Sequence, residues 1–232
     1  MGTHAQSTQY LKRIGRKSHH DFYIQLVSII CSLALAHMLQ SLQIKRLYGD
    51  ESTVSYALQN AAIFWVIVLV WHEYAISTAY LRWVVSLTDS LIPFLFGVGM
   101  FALIEATNSA SDSWWFFWFA VFCCLGATAY FNQSVSSKRD ESNKKVISRF
   151  RRMNRWAIGI SLICSVAAIA MAVATASSAW DENELGLFYS IVLIALLVFT
   201  GVVNHVRDDD LGLNNIVKIN AFGLFKRFKT PV

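Results

Sequence analysis

The chain has 232 residues, of which 55% are hydrophobic and only 15% are charged, and its mean hydropathy is +0.44. This composition excludes an ordinary soluble domain and places the chain in the membrane class. Runs of about twenty apolar residues recur, the length that a helix needs to cross a hydrocarbon core of about 30 Å. The sequence therefore predicts an all-α, polytopic membrane protein with about six transmembrane helices.

The predicted parts follow one another in five segments. They are a basic N-terminal arm at 1–21, a four-helix transmembrane unit at 22–132, a basic loop at 133–155, a two-helix transmembrane hairpin at 156–205 and an amphipathic tail at 206–232. The six spans are placed at 22–43, 56–79, 83–105, 113–132, 156–178 and 186–205. The first apolar run is too long for a signal peptide, so we expect it to remain as an anchor. The loop is expected to end in a helix through VISRFRRMNRW that continues into span five.

Basic residues fall almost entirely on one side of these spans. Eighteen of the 20 Lys and Arg residues lie in the arm, the turn after span two, the 133–155 loop and the tail, and only Lys45 and Arg46 lie on the other side. Positively charged loops are retained in the cytoplasm. The sequence therefore predicts a multi-pass protein of the bacterial inner (plasma) membrane with both termini in the cytoplasm, and an interfacial tail on the cytoplasmic leaflet.

Polar side chains run along one face of span one from end to end. The stripe consists of Gln25, Ser28, Ser32, Gln40 and Gln43, with Ala36 filling the gap and His37 beside it. Polar groups are costly in hydrocarbon, so such a stripe must face other helices or water. Interhelical hydrogen bonding and a pore wall are the two interpretations, and the second makes His37 and Gln40 ion-path candidates.

Spans two and three carry ionisable residues and a proline. His72 and Glu73 lie toward the inner part of span two, and Asp89 lies about two turns into span three. Ionisable residues in spans indicate a functional site or an internal pair, so we expect charge compensation across this hairpin, with Arg82 at its turn. Snorkelling of Glu73 and Arg82 to the interface is the alternative. Pro93 frees a backbone carbonyl, which either a water-filled cavity or a packing kink would explain. The ion-path candidates in these two spans are therefore His72, Glu73, Asp89 and Pro93.

Span five and the loop before it present two possible contact surfaces. A small-residue face lets another helix approach closely, either span six or a second subunit, and comprises Ser161, Ser165, Ala168, Ala172 and Ala176. The residues expected to bind an anionic partner are Lys144, Lys145, Arg149, Arg151, Arg152 and Arg155. Anionic lipid at the cytoplasmic face is the expected partner, and a nucleotide or nucleic acid is the more specific alternative.

Motifs that carry enzyme chemistry do not occur in the sequence. His72 and Glu73 lack the second histidine of an HExxH motif, and neither a glycine-rich phosphate loop nor a G-x-S-x-G sequence is present. The four cysteines fall within predicted spans and lack the paired spacing of a metal or redox site. We therefore expect no enzyme activity, no metal site and no cofactor.

Span one (LVSIICSLALAHMLQSLQ) and span two (FWVIVLVWHEY) resemble those of small, mostly uncharacterised bacterial multi-span integral membrane proteins. The resemblance covers 22–105, rests on His37, Gln40, Trp65 and Trp71 beside the hydropathy, and implies no activity. The residues themselves favour two functions. One is a homo-oligomeric pore, an ion channel or membrane effector controlled from its basic cytoplasmic face, in bacterial stress or antiphage (antiviral) defence. The other is a non-conducting membrane anchor or assembly subunit that recruits a cytoplasmic partner.

The charge pattern leads to a direct test of orientation. Reporters fused after Val232 or within 134–155 are expected to be active in the cytoplasm, whereas one inserted at 107–112 is expected to be periplasmic, because the basic segments resist translocation. Paired alkaline phosphatase and fluorescent protein fusions measure this. A periplasmic C-terminal reporter on an intact chain would refute the predicted orientation.

Overall fold

The structure is a computed structural model that describes residues 22–43, 54–81, 87–109, 111–136, 138, 144–177 and 180–211. These residues form six helices. In chain order they are α1 (Phe22–Gln43), α2 (Val54–Tyr80), α3 (Leu87–Asn108), α4 (Asp112–Ser136), α5 (Lys144–Ser177) and α6 (Glu182–Leu211). Each contains a stretch long and apolar enough to cross a membrane, which confirms the predicted helical class and the six spans.

The first four helices agree with the predicted spans to within four residues at each end, and the last two are longer. α5 begins at Lys144, as expected from the helix predicted through VISRFRRMNRW. α6 continues to Leu211, six residues past the predicted end of span six at 205. Arg207, which the charge count assigned to the tail, therefore belongs to the last turns of α6.

Consecutive helices run in opposite directions, so the bundle has two ends of different chemistry. The acidic end carries the last turns of α1, α3 and α5 and the first turns of α2, α4 and α6, including Glu105 and Asp112. The basic end carries the opposite termini, including Arg151, Arg152 and Arg155 on α5. Which end faces the cytoplasm stays a prediction from the charge pattern.

Two members of the small-residue face of span five, Ser161 and Ser165, pack against α4, a neighbour that the sequence did not predict. Ser165 Oγ donates a hydrogen bond to the Ala120 carbonyl at 3.0 Å and also lies 3.0 Å from Cys124 Sγ. A Cβ atom at Gly126 of α4 would lie 3.7 Å from Ser161 Oγ, an ordinary van der Waals distance. Small residues let helices in lipid approach closely, and this pair forms the most extensive interface among the described helices.

α1 lies against α2 and α3. A Cβ atom at Gly97 of α3 would lie 3.0 Å from the Ile30 side chain, so the glycine permits a close approach of the two helices. Cys31 Sγ lies 3.8 Å from the Ile67 carbonyl of α2. Near the acidic end, the Ser41 hydroxyl hydrogen-bonds to the Asn108 side chain of α3 at 3.0 Å. These contacts hold α1 on the outside of the bundle.

The outer surface of the bundle is apolar. Large aliphatic side chains on α5 and α6, such as Ile163, Val166 and Val198, are more than half exposed. Each helix also contributes buried side chains, so the apolar residues are distributed between the helix contacts and the outside. This is the distribution expected of a bundle whose solvent is hydrocarbon.

An aromatic layer closes the bundle near the acidic end. Trp115 and Phe116 of α4 and Tyr189 of α6 are fully buried, with the Phe116 and Tyr189 rings stacked at 5.1 Å and Trp115 packed edge-on to Tyr189 at 5.0 Å. The Tyr189 hydroxyl donates to Asp112 Oδ1 at 2.6 Å, and Gln59 Nε2 of α2 donates to the same oxygen at 3.2 Å. One carboxylate thus joins α2, α4 and α6.

We predict that the hydrogen bond from the Tyr189 hydroxyl to Asp112 stabilises this layer. Tyr189→Phe keeps the ring packing and removes the donor, so the free energy of unfolding is expected to fall by about 1–2 kcal/mol, because the acceptor is a carboxylate. Thermal unfolding of purified protein, followed by tryptophan fluorescence in detergent, measures the change. Tyr80→Phe, which alters a half-exposed tyrosine at the basic end, is the matched control and is expected to change stability far less. Equal effects of the two changes would argue against the link.

Candidate functional site

A buried ion pair lies in the bundle near the basic end. Arg207 Nη1 of α6 donates to Glu73 Oε1 of α2 at 2.9 Å, and the two side chains are only 3% and 11% exposed. Glu73 lies about 10 Å before the end of α2 at 1.5 Å per residue, within the span. A lone charge at this depth is costly, so each residue requires the other.

Two further side chains complete the hydrogen bonding of the guanidinium. Arg207 Nη2 donates to Asn204 Oδ1, one turn earlier on α6, and lies 3.3 Å from His72 Nε2. A guanidinium has only donors, so the contact with His72 uses the lone pair of Nε2. The group of Glu73, Arg207, Asn204 and His72 is called the charge cluster below.

The Glu73 carboxylate is only half satisfied by the described residues. Oε1 accepts from Arg207, whereas Oε2 is buried and has no hydrogen-bond partner among them. The Tyr130 side chain of α4 lies close enough to interact with Glu73, yet it does not supply a well-formed bond to Oε2. Buried carboxylate oxygens are normally hydrogen-bonded, so Oε2 retains capacity to accept a hydrogen bond.

Further polar contacts lie near the charge cluster at the basic end. Gln133 Nε2 of α4 donates to Ser77 Oγ of α2 at 3.0 Å, and both side chains are buried. Asn154 Nδ2 of α5 donates to Ser134 Oγ of α4 at 2.8 Å. These contacts therefore tie α2, α4 and α5 together at the level where α6 contributes Arg207.

A cavity of about 1230 Å³ lies within the bundle, and α2, α4, α5 and α6 contribute most of its wall. Its wall is mostly apolar. Glu73, Ser77, Tyr130 and Gln133 line its end near the basic side, and Phe116 of the aromatic layer lines the other end. The cavity therefore runs along the bundle from a polar end to an aromatic one, and the aromatic layer blocks it from the acidic end.

The structure brings together only part of the predicted ion path. His72 and Glu73 are in the charge cluster, whereas Pro93 is buried in α3 without a described link to it. His37 hydrogen-bonds through Nε2 to Glu105 Oε1 at 2.7 Å near the acidic end, and Gln40 is exposed on α1. Asp89 belongs to α3, and its side chain lies outside the part that the structure describes.

The described partner of Glu73 differs from the one expected. Charge compensation was predicted across the hairpin of spans two and three, with Arg82 at its turn, but Glu73 pairs with Arg207 from the last span. Arg82 and the Asp89 side chain lie outside the described residues. Snorkelling does not describe Glu73 either, because its side chain is buried against α6.

The sequence carried a signal for Arg207 that hydropathy alone did not use. Asn204 and His205 are the last residues of the predicted span six, and Arg207 follows two residues later, so the predicted span stopped just short of the arginine. A glutamate within a span requires a cation at similar depth. A search for that cation among residues just beyond each span would have included Arg207.

The predicted anionic-partner residues lie along the first part of α5. Arg151, Arg152 and Arg155 are exposed near the basic end. Lys144, Lys145 and Arg149 belong to the same helix, and their side chains lie outside the described residues. Among the side chains that the structure does describe, no three His, Cys, Asp or Glu residues lie close enough together to hold a metal ion.

Comparisons with known proteins do not add a family to this geometry. No protein-family model, no curated protein and no solved structure matches the chain.

The ion pair gives the site its clearest prediction. Glu73→Gln strands a buried guanidinium and is expected to lower the free energy of unfolding by about 3–5 kcal/mol, with Arg207→Gln similar. In the double variant no charge is left unpaired, so its loss is expected to be well below the sum of the two. Thermal unfolding and the yield of monodisperse protein measure the cycle. Glu105→Gln, which alters an exposed carboxylate, is the control and is expected to cost little. Additive losses in the cycle would contradict the pairing.

Proposed function

We propose that the chain is an integral membrane protein that works as a homo-oligomeric pore whose lumen is lined by α1. The observation that carries this proposal is the outward position of the α1 polar stripe. Ser28 accepts a hydrogen bond from Trp71 Nε1 of α2 at 3.2 Å. The other polar members of the stripe, Gln25, Ser32, Gln40 and Gln43, are exposed on the outside of the bundle.

The opposite face of α1 makes the contacts with the bundle. Its buried side chains are Tyr23, Val27, Cys31, Ala34 and Met38, which recur at three- and four-residue spacing. A single copy of the bundle would therefore leave amide side chains near both ends of the span, and the Ser32 hydroxyl between them, facing lipid. Such groups avoid hydrocarbon, so they require protein or water. A ring of copies with α1 innermost supplies water to all of them.

An α1 lumen explains the stripe better than conduction through the bundle itself. The aromatic layer of Trp115, Phe116 and Tyr189 interrupts the internal cavity before it reaches the acidic end. In this proposal Gln40 lines the pore, whereas His72, Glu73 and Pro93 lie inside each subunit and act on its stability. An amide and hydroxyl lining lacks fixed charge, so weak discrimination among small ions is expected.

In this proposal the pore is controlled from the basic end of the bundle. Arg151, Arg152 and Arg155 are exposed together on α5, and an anionic lipid, nucleotide or nucleic acid that binds them would act on the helix that α4 contacts most. Such a pore in the bacterial inner membrane would dissipate ion gradients, as an effector of stress or antiphage defence does. The same arginines favour the second candidate, a non-conducting anchor that recruits a cytoplasmic partner.

Two exposed positions, one on the α1 stripe and one on α5, give a matched test of the lumen. Ser32 is on the stripe, and Ile163, which is 69% exposed, is on the aliphatic outer surface of α5. In liposomes, Ser32→Cys is expected to react with a membrane-impermeant, water-soluble thiol reagent and to lose most of its ion flux. Ile163→Cys is expected to be unaffected, because thiolate formation and the reagent both need water.

The wild-type chain, which has four cysteines of its own, is treated with the same reagent as the control. Flux that responds equally at both positions would rule out a lumen on this face. Wild-type liposomes without flux, together with a cytoplasmic protein recovered through Arg151, Arg152 and Arg155, would replace the pore by the anchor.

A further inference from the structure

The cavity lined by α2, α4, α5 and α6 is large for the interior of a folded protein. At about 1230 Å³ it exceeds the usual range of about 300–1,000 Å³ for small-molecule pockets. Protein interiors are otherwise packed as densely as organic crystals, and empty apolar space destabilises them. A bound molecule that fills the space would restore those contacts.

The shape of the cavity fits one elongated ligand. On α6 its wall extends from Phe188 to Phe199, about 17 Å apart at 1.5 Å per residue. On α4 it extends from Phe116 to Gln133, about 26 Å apart on the same scale. Apolar side chains make up most of this length. The ligand that fits is therefore long and mainly apolar.

The polar end of the cavity determines the head group. Glu73 lines the cavity, and its Oε2 atom is buried without a described donor. Ser77 and Gln133, which also line this end, are hydrogen-bonded to each other. An incoming group that donates a hydrogen bond would satisfy the acceptor that the protein leaves incomplete.

The charge of the site excludes a charged head group. Arg207 already compensates Glu73 at 2.9 Å, and His72 meets the same guanidinium through a lone pair. A carboxylate, phosphate or ammonium on the ligand would add an uncompensated charge at membrane depth. A hydroxyl donates without changing this balance.

We propose that the cavity binds an uncharged single-chain amphiphile with a hydroxylated head, such as a monoacylglycerol or a long-chain alcohol. The hydroxyl lies at Glu73, and the chain runs along α4 and α6 to Phe116 of the aromatic layer. The bilayer is the source of the ligand. This inference does not depend on the pore, because the cavity lies within one copy of the bundle and the stripe of α1 lies outside it.

Equilibrium binding of radiolabelled 1-monooleoylglycerol to the full chain in nanodiscs tests the proposal, with empty nanodiscs subtracted. Binding is expected to be saturable and to be competed by unlabelled monooleoylglycerol. Methyl oleate has the same chain and no donor, so it is expected to compete about three- to tenfold more weakly, the effect of one hydrogen bond. Non-saturable binding, or equal competition by methyl oleate, would overturn the proposed recognition of the head.

Two alanines of α5 give a matched pair of protein variants. Ala168 is buried and lines the cavity, whereas Ala170 is exposed on the outside of the same helix. Ala168→Phe places a ring in the ligand's space and is expected to weaken binding by about tenfold or more. Ala170→Phe adds the same ring outside the bundle and is expected to bind as the wild type does.

A second blocking variant covers the case in which Ala168→Phe disturbs the fold. Ala195→Phe fills the same cavity from α6, and thermal unfolding and size-exclusion chromatography report on the integrity of both variants. Loss of binding in a folded variant supports the site. Wild-type binding in a folded cavity-filling variant would place the amphiphile elsewhere and overturn the proposal.

Discussion

Hydrocarbon offers no hydrogen bonds, and this constraint explains where the polar residues of the bundle lie. The ion pair of Glu73 and Arg207 shows this constraint most directly. Either charge alone would be costly at this depth, and together the two residues join α2 to α6. Asn204 and His72 complete the guanidinium's contacts. A change that removes one member therefore affects the packing of two helices.

The interior is divided between two polar levels with a mainly apolar cavity between them. At the acidic end, Asp112 accepts hydrogen bonds from Gln59 and Tyr189 beside the aromatic layer. At the basic end, the charge cluster and the Gln133 to Ser77 bond connect the helices. Between these levels α2, α4, α5 and α6 surround the cavity, while α2 and α6 stay in contact through the hydrogen bond from Trp65 Nε1 to Thr200 Oγ1. The amphiphile proposal follows from that arrangement.

The outer surface of the bundle also reflects the lack of hydrogen-bond partners in hydrocarbon. Most exposed side chains on α5 and α6 are aliphatic, as a lipid-facing surface requires. The exposed glutamines of α1 are the exception, and the proposed pore accounts for them by placing α1 against water. The two proposals therefore assign separate roles to the interior and to the outer surface, with ligand binding inside each copy and conduction between copies.

The sequence by itself determined the class of the protein and the number of its spans, because hydropathy over about twenty residues is a local property that the bilayer imposes on each helix. It also identified Glu73 and the α1 stripe, since polar residues in apolar runs are visible without a fold. Only the tertiary structure decided that Glu73 pairs with Arg207, 134 residues away, that the small-residue face of α5 packs on α4, and that the stripe points outward. Helix contacts in lipid depend on which faces meet, and hydropathy contains no information about that choice.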